Sequence, residues 1–327
     1  MSDNLSCSRR RFSTGVAAVG IAAGLGLPKY GFAASFPDQT INFLIPYGPG
    51  GGFDSYVRKF SELLPTTLPN KVNVEPLNDP GASGEKAIFN LLQSPPDGYN
   101  ISLINVPGII ESNYKGKGGN ININSLTWVA TLGREAYGIA VGAHSSIKTI
   151  ADLKKLSTQR VLAFGSTGPG STDYFATRVF AAAEGLNVRQ VTGYNGAVES
   201  GVAAARGDVD CVIHSLAVLG QMAGSGLVRI IFAFQNKTAL AGVEDASSIG
   251  QPDLGEIYQW FPVVAPPGLP PDITSTLSNA LVKATGLPDA VAWAKSAHTT
   301  LYPLDQAETL KMIAIQTALV AKWKSAL

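Results

Sequence analysis

The chain has 327 residues, 45% of them hydrophobic and 15% charged, with 25 Lys and Arg against 24 Asp and Glu for a formal net charge of +1. Such a balance leaves no electrostatic footprint for nucleic acid or an anionic membrane. Two cysteines and three scattered histidines offer no zinc-site spacing, and no cofactor or metal is expected.

The N-terminus is expected to be an address rather than fold. Ser8-Arg9-Arg10-Arg11-Phe12 precedes a short apolar, Gly-rich stretch over 16–27 and the small-residue site Gly31-Phe32-Ala33. A basic start, a weakly apolar core and a small-residue exit describe a bacterial export signal, and the paired arginines favour the twin-arginine route. The stretch is shorter than the roughly twenty apolar residues that a membrane span needs. Cleavage is expected near Ala33, releasing the protein into the periplasm. Loss of residues 1–33 removes Arg9, Arg10, Arg11, Lys29 and Asp3, leaving 21 basic and 23 acidic side chains. Cys211, in the apolar run 209–213, is then the remaining cysteine and reads as a buried core residue.

Beyond the signal, strand-like and helix-like segments alternate. A strand over 41–45 leads to a helix over 53–64, where Val57, Phe60 and Leu64 recur at helical spacing. A strand over 72–75, a helix over 85–93 and a strand over 100–105 follow. Further short strands are predicted at 139–141, 161–164, 188–192, 209–213 and 228–234, with helices at 150–156, 173–183 and 197–205 between them. A proline-rich stretch over 262–271 precedes two helices at 272–284 and 305–325. The alternation predicts an α/β protein with mainly parallel sheets. The remaining length exceeds what one core usually takes, so two lobes are expected.

Two look-alike turns stand out, Gly48-Pro49-Gly50 after the first strand and Gly168-Pro169-Gly170 at 120 positions later. Each lies between a strand and an amphipathic helix, where backbone N–H groups at the positive end of the helix dipole suit an anion. They read as two jaws closing on one acidic ligand.

The segments Ile45-Pro46-Tyr47-Gly48-Pro49-Gly50-Gly51-Gly52-Phe53-Asp54, Asn78-Asp79-Pro80-Gly81-Ala82-Ser83-Gly84 and Pro96-Asp97-Gly98-Tyr99 occur in that order. Gly170-Ser171, Tyr194-Asn195-Gly196, Gly207-Asp208-Val209-Asp210 and Ala265-Pro266-Pro267-Gly268-Leu269-Pro270 follow. From about Phe36 onward the chain resembles the extracytoplasmic solute receptors of the tripartite tricarboxylate transporters, the Bug (TctC-like) family. The resemblance implies a periplasmic binding protein fold of the type II kind, with two chain crossovers between lobes at 34–135 plus 258–327 and at 136–257. It implies a non-enzymatic receptor that holds a small mono- or dicarboxylate, an aromatic acid being one option, and passes it to membrane permease subunits. It places Tyr47, Gly51, Gly52, Phe53, Asp54, Ala82, Ser83 and Gly84 on one wall of the ligand cleft. Ser166, Thr167, Gly170, Ser171, Thr172, Tyr194, Asn195 and Gly196 fall on the other. A histidine is common in the family where Tyr174 stands.

Plainer readings stand beside several of these residues. Ser171 and Thr172 can be helix N-caps. Asp54 and Asp173 fit first-turn acids that stabilise a helix dipole better than ligand contacts. Tyr47 and Phe53 can stack on a flat ligand or pack in the core. Of the histidines, His214 beside Ser215 is the one placed to reach a pocket. A receptor presenting its carboxylate to a signalling partner would need the same fold. A dinucleotide-dependent oxidoreductase is the remote alternative, because Phe53 stands where its glycine fingerprint needs a small residue.

Overall fold

The computed structural model describes residues 36–114 and 121–327, so the export signal expected at 1–33 lies outside the described residues. Strand β1 (Ile41–Ile45) pairs in parallel with β2 (Val74–Asn78) on one side and β3 (Asn100–Leu103) on the other, with α1 (Gly52–Thr67) and α2 (Glu85–Leu92) as the crossover helices. Helix α1 buries Phe53, Tyr56, Val57, Phe60 and Leu64 on one stripe at three- and four-residue spacing. Each such side chain contributes about 1.5–3 kcal/mol when fully buried.

After α3 (Gly108–Tyr114) comes β4 (Thr127–Gly142), then α4 (Ile150–Ser157), whose capping box is Thr149 with Asp152. Strand β5 (Leu162–Gly165) then pairs in parallel with β6 (Val188–Val191) and β7 (Cys211–Ser215), connected through α5 (Thr172–Glu184) and α6 (Ala197–Arg206). This repeats the arrangement around β1. In both trios the middle strand comes first in sequence and runs into a Gly-Pro-Gly turn. The chain then goes to one neighbour and later returns on the opposite side, which opens a crevice at the carboxyl end of the middle strand.

Helix α7 (Leu216–Gly224), β8 (Val228–Ala233) and the short β9 (Glu244–Asp245) complete this half. Strand β10 (Tyr258–Ala265) carries the chain back, and α8 (Pro271–Thr285), α9 (Pro288–Ser296), β11 (Leu301–Leu304) and α10 (Gln306–Lys322) finish it. The order β2-β1-β3-β10-β4-β7-β5-β6 gives parallel trios on both flanks of an antiparallel centre. The architecture is α/β, with the chain passing from one strand group to the other inside β4 and returning at β10.

Strand β4 is longer than the strand expected at 139–141, since it also takes in the apolar run Trp128-Val129-Ala130-Thr131-Leu132 and the Gly133-Arg134-Glu135 segment between them. Its first part pairs with β10 and β11, from Thr127↔Ala265 to Ala136↔Tyr258. Its last part pairs with β7 and β8, from Tyr137↔Ser215 to Gly142↔Val228. Partners on both edges support the Gly133-Arg134-Glu135 segment, which would be a poor strand by propensity alone. Strand β10 likewise begins ahead of the expected proline-rich stretch and includes Pro262, beside which the register shifts between Trp260 and Pro262.

Gly133 admits the Tyr56 hydroxyl, because a Cβ there would fall well inside contact distance of Tyr56 Oη and of the Thr300 carbonyl. Gly133→Ala is therefore expected to cost about 1–3 kcal/mol by overpacking, read from the midpoint of urea unfolding. An unchanged midpoint would mean that Tyr56 can turn aside freely.

Candidate functional site

A cavity of about 310 Å³ lies at the carboxyl ends of β1 and β5. Its walls come from the loop after β1, the turn after β5, the loop before α6, and the facing surfaces of β4, β7 and β10. Of the residues expected from sequence, Tyr47, Gly51, Gly52, Phe53, Thr167, Asn195 and Gly196 line it.

Helix α1 begins at the N-cap Gly51 and helix α6 at the N-cap Gly196, and neither has a side-chain cap. By contrast α4, α5, α7 and α10 are each capped, by Thr149, Ser171, Ser215 and Asp305. An uncapped first turn leaves N–H groups without an intrahelical partner. Gly51 and Gly52 border the cavity from one side, and Gly196, Ala197 and Val198 from another. No Lys or Arg lines it.

The remaining expected residues build the walls from behind. Ala82, Ser83, Gly84 and Tyr194 border a smaller cavity of about 210 Å³ that shares Tyr47, Thr167 and Asn195 with the first. Ser83 Oγ donates to the Thr167 carbonyl at 2.9 Å, and the Tyr47 hydroxyl donates to the Ser83 carbonyl at 2.7 Å. Gly48 N donates to the Asn195 carbonyl at 3.0 Å, a further direct bond between the two strand groups. Ser166 is fully buried and accepts from Gly168 N. Gly170, at φ +96°, packs against Glu85, and Ser171 caps α5 by accepting from Tyr174 N. Asp54 lies outside the cavity wall. Its carboxylate accepts from Gly50 N, Arg58 and Asn78, and these partners outweigh burial and hold its pKa below the usual carboxylate value. Tyr174 is also outside the cavity, beside Arg178.

Several wall residues were not anticipated. Asn105, just past β3, joins the two groups: its Nδ2 donates to Tyr47 Oη at 2.6 Å, and its Oδ1 accepts from Thr172 N at 3.0 Å and Thr172 Oγ1 at 2.6 Å. A polar residue at the carboxyl end of a buried strand was the available signal. Glu135 and Tyr137 on β4, with Gln259 and Phe261 on β10, lie in strands whose pattern was not recognisable. The Tyr137 hydroxyl donates to Gln259 Oε1 at 2.8 Å. Tyr47 packs on Phe53 with ring centroids 4.8 Å apart, and Phe53 packs edge-on against Phe261 at 5.0 Å. These rings form one apolar wall by holding one another.

The charged groups of the cavity are acidic. Asp173 accepts from Thr167 N at 2.7 Å and Thr167 Oγ1 at 2.8 Å, so both its oxygens are held. Glu199 accepts from Asn195 N. Burial pushes the Glu135 carboxyl above the usual carboxylate value. Burial also pushes the phenols of Tyr47 and Tyr137 well above their ordinary value. His214 borders the cavity with Nε2 at 2.6 Å from Ser200 Oγ, and burial lowers its pKa despite the charge of Asp173. Among the described residues no group of three or more His, Cys, Asp or Glu is placed to hold a metal ion.

Asn105→Ala would leave Tyr47 Oη with one partner fewer and the two Thr172 donors without their acceptor. A loss of about 1–3 kcal/mol in unfolding free energy is expected for those stranded buried groups. An unaltered stability would mean that water replaces the amide.

The sequence model described as the tripartite tricarboxylate transporter family receptor matches residues 57–326. A Cupriavidus necator protein, "UPF0065 protein in gbd 5′ region", is 27% identical over 287 residues that cover 86% of each chain. The periplasmic binding protein BugD superposes with a TM-score of 0.80 at 19% identity, over 89% of this chain and 98% of its own. MatC from Rhodopseudomonas palustris, solved with bound malate, gives 0.78 at 18% identity over 89% and 99%. These structures share the periplasmic binding protein fold, and among the described residues no helix is long and apolar enough to cross a membrane. With the family's sequence model spanning most of the chain, this protein belongs to the tripartite tricarboxylate transporter receptors, which are solute-binding proteins.

Proposed function

We propose that the receptor captures a small carboxylate in the 310 Å³ cavity and delivers it to the membrane subunits of a tripartite transporter. The observation that carries this reading is the pair of uncapped helix N-termini, at Gly51 and Gly196, opening onto a cavity with no Lys or Arg. Each supplies backbone N–H groups and the positive end of a helix dipole, so an anion is held by neutral donors without a countercharge. The malate bound by MatC fits the same chemistry. The lobes would be 34–135 plus 258–327 and 136–257, closing about the β4 and β10 crossings. In this reading the chain is exported by its twin-arginine signal, cleaved near Ala33, and works as a monomer.

A thermal-shift screen of the mature protein against small acids, alcohols, amines and sugars tests the ligand class, since binding to the native state raises the melting temperature. A rise confined to carboxylates and lost on amidation is expected. A rise with amines or sugars alone would remove the anion reading.

Gly51→Asp is a sharper test. A Cβ at Gly51 meets nothing within 4 Å, and its φ of −86° suits any residue. The new carboxylate would cap α1 and occupy the anion's place. The variant is expected to melt no lower than the wild type and to lose the carboxylate-induced shift. Undiminished binding would exclude the α1 N-terminus from the site.

A further inference from the structure

Glu135 is 4% exposed, borders the cavity and has no cationic partner in an ion pair among the described residues. Its Oε1 is bonded to Thr299 Oγ1, which in turn contacts Tyr56 Oη at 2.9 Å, and Tyr56 Oη is 2.8 Å from the Thr300 carbonyl. The protons of this chain can be counted. All three contacts are hydrogen bonds in one arrangement: a carbonyl only accepts, so the single Tyr56 proton goes to Thr300. Tyr56 Oη must then accept from Thr299, whose one proton is thereby used. The contact between Thr299 and Glu135 is left with a proton only if Glu135 supplies it. An ionised Glu135 leaves one of the three contacts without a proton, either the Thr299–Glu135 link or, with both hydroxyls turned toward Glu135, the link to the Thr300 carbonyl, which also accepts from Arg134 N at 3.1 Å.

The location gives that proton a consequence. Glu135 Oε2 has no hydrogen-bond partner and lies 3.3 Å from where a Cβ on Gly52 would be, beside the uncapped first turn of α1. A negative charge there would compete with an anion for the same helix terminus. We propose that Glu135 is held as a neutral carboxylic acid by the Thr299–Tyr56–Thr300 chain, and that carboxylate capture at the α1 N-terminus requires this proton. The inference rests on the carboxylate reading above for its second half only.

The surroundings agree. Tyr56 comes from α1 and Tyr137 from β4 itself, both phenols pushed up by burial, while β10 presents only Gln259 and Phe261. Ser215 and His214 come from β7, and Asp173 from α5. The Arg134 guanidinium is held over the rings of Tyr258 and Tyr302, at 4.5 and 4.3 Å. Arg58, Lys59, Glu62 and Asp54 line the adjoining cavity, with Arg58 paired to Asp54 and Lys59 to Glu62. Burial raises the Glu135 pKa. A raised carboxyl pKa means that the folded state holds its proton more tightly, so stability falls as pH climbs from the ordinary glutamate value through the folded one.

The test compares the full mature protein with Glu135→Gln, whose amide nitrogen can donate to Thr299 as the neutral acid would and carries no charge. Two readouts are followed from pH 5 to pH 9: the melting temperature without ligand, and the dissociation constant for malate. The ratio of the two proteins' constants cancels malate's own ionisation and the titration of His214. The wild type is expected to lose melting temperature relative to Glu135→Gln as pH rises. The ratio of the wild-type constant to the variant's should also rise, by up to about tenfold per pH unit above the carboxyl's pKa. A melting difference and a ratio that both stay flat over the range would overturn the proposal. A melting difference that grows while malate binds neither protein would uphold the neutral Glu135 and remove its link to carboxylate capture. A Thr299→Val variant breaks the chain at its middle link and should lower the Glu135 pKa, moving the wild-type pH profile to lower pH. An unmoved profile would count against the chain as the source of the proton's retention.

Discussion

Strand β4 belongs to two strand groups at once, and the arrangement of the site follows from that. Its first part lies between β10 and β11 and its last part between β7 and β8. A continuous backbone therefore fixes the two parallel trios relative to each other, and with them the two Gly-Pro-Gly turns. The cavity forms where the pairing changes partners, at Glu135 and Tyr137. Backbone hydrogen bonding is obligatory in a buried strand, so the site inherits its geometry from the ladder rather than from its own side chains.

In the proposed carboxylate reading, recognition relies on dipoles. The cavity wall has buried carboxyl groups, a buried histidine and no cation. Each acidic group is managed separately: Asp173 by two donors from Thr167, Glu199 by Asn195, and Glu135 by a hydroxyl chain that accommodates a proton. Neutral donors at helix termini then act on an anion without the desolvation cost that a buried lysine or arginine would carry.

The contacts between the strand groups form a bonded seam. Asn105 ties Tyr47 to Thr172, Ser83 reaches Thr167, and Gly48 reaches Asn195. Five of these seven residues, Tyr47, Ser83, Thr167, Thr172 and Asn195, were expected on the walls of the ligand cleft. Ser83 and Thr172 instead direct their hydroxyls into the seam, while Thr167 lines the cavity and orients Asp173 as well.

The sequence by itself determined the α/β alternation, the two glycine turns and the amphipathic helices after them, because these are local: periodicity marks α1, and Gly-Pro-Gly marks the ends of the middle strands. It also determined the family, through motifs spread along the chain. The tertiary structure alone decided the length of β4, the strand character of β10 around Pro262, and the arrival of Asn105, Glu135, Gln259 and Phe261 at one cavity. The reason is physical. Gly133, Arg134 and Glu135 have no strand pattern of their own and become strand only when β10 and β11 supply partners on either edge. The protonation of Glu135 is further from the sequence still, since it depends on Thr299 and Tyr56, which lie 164 and 79 positions away, being brought to the same buried place.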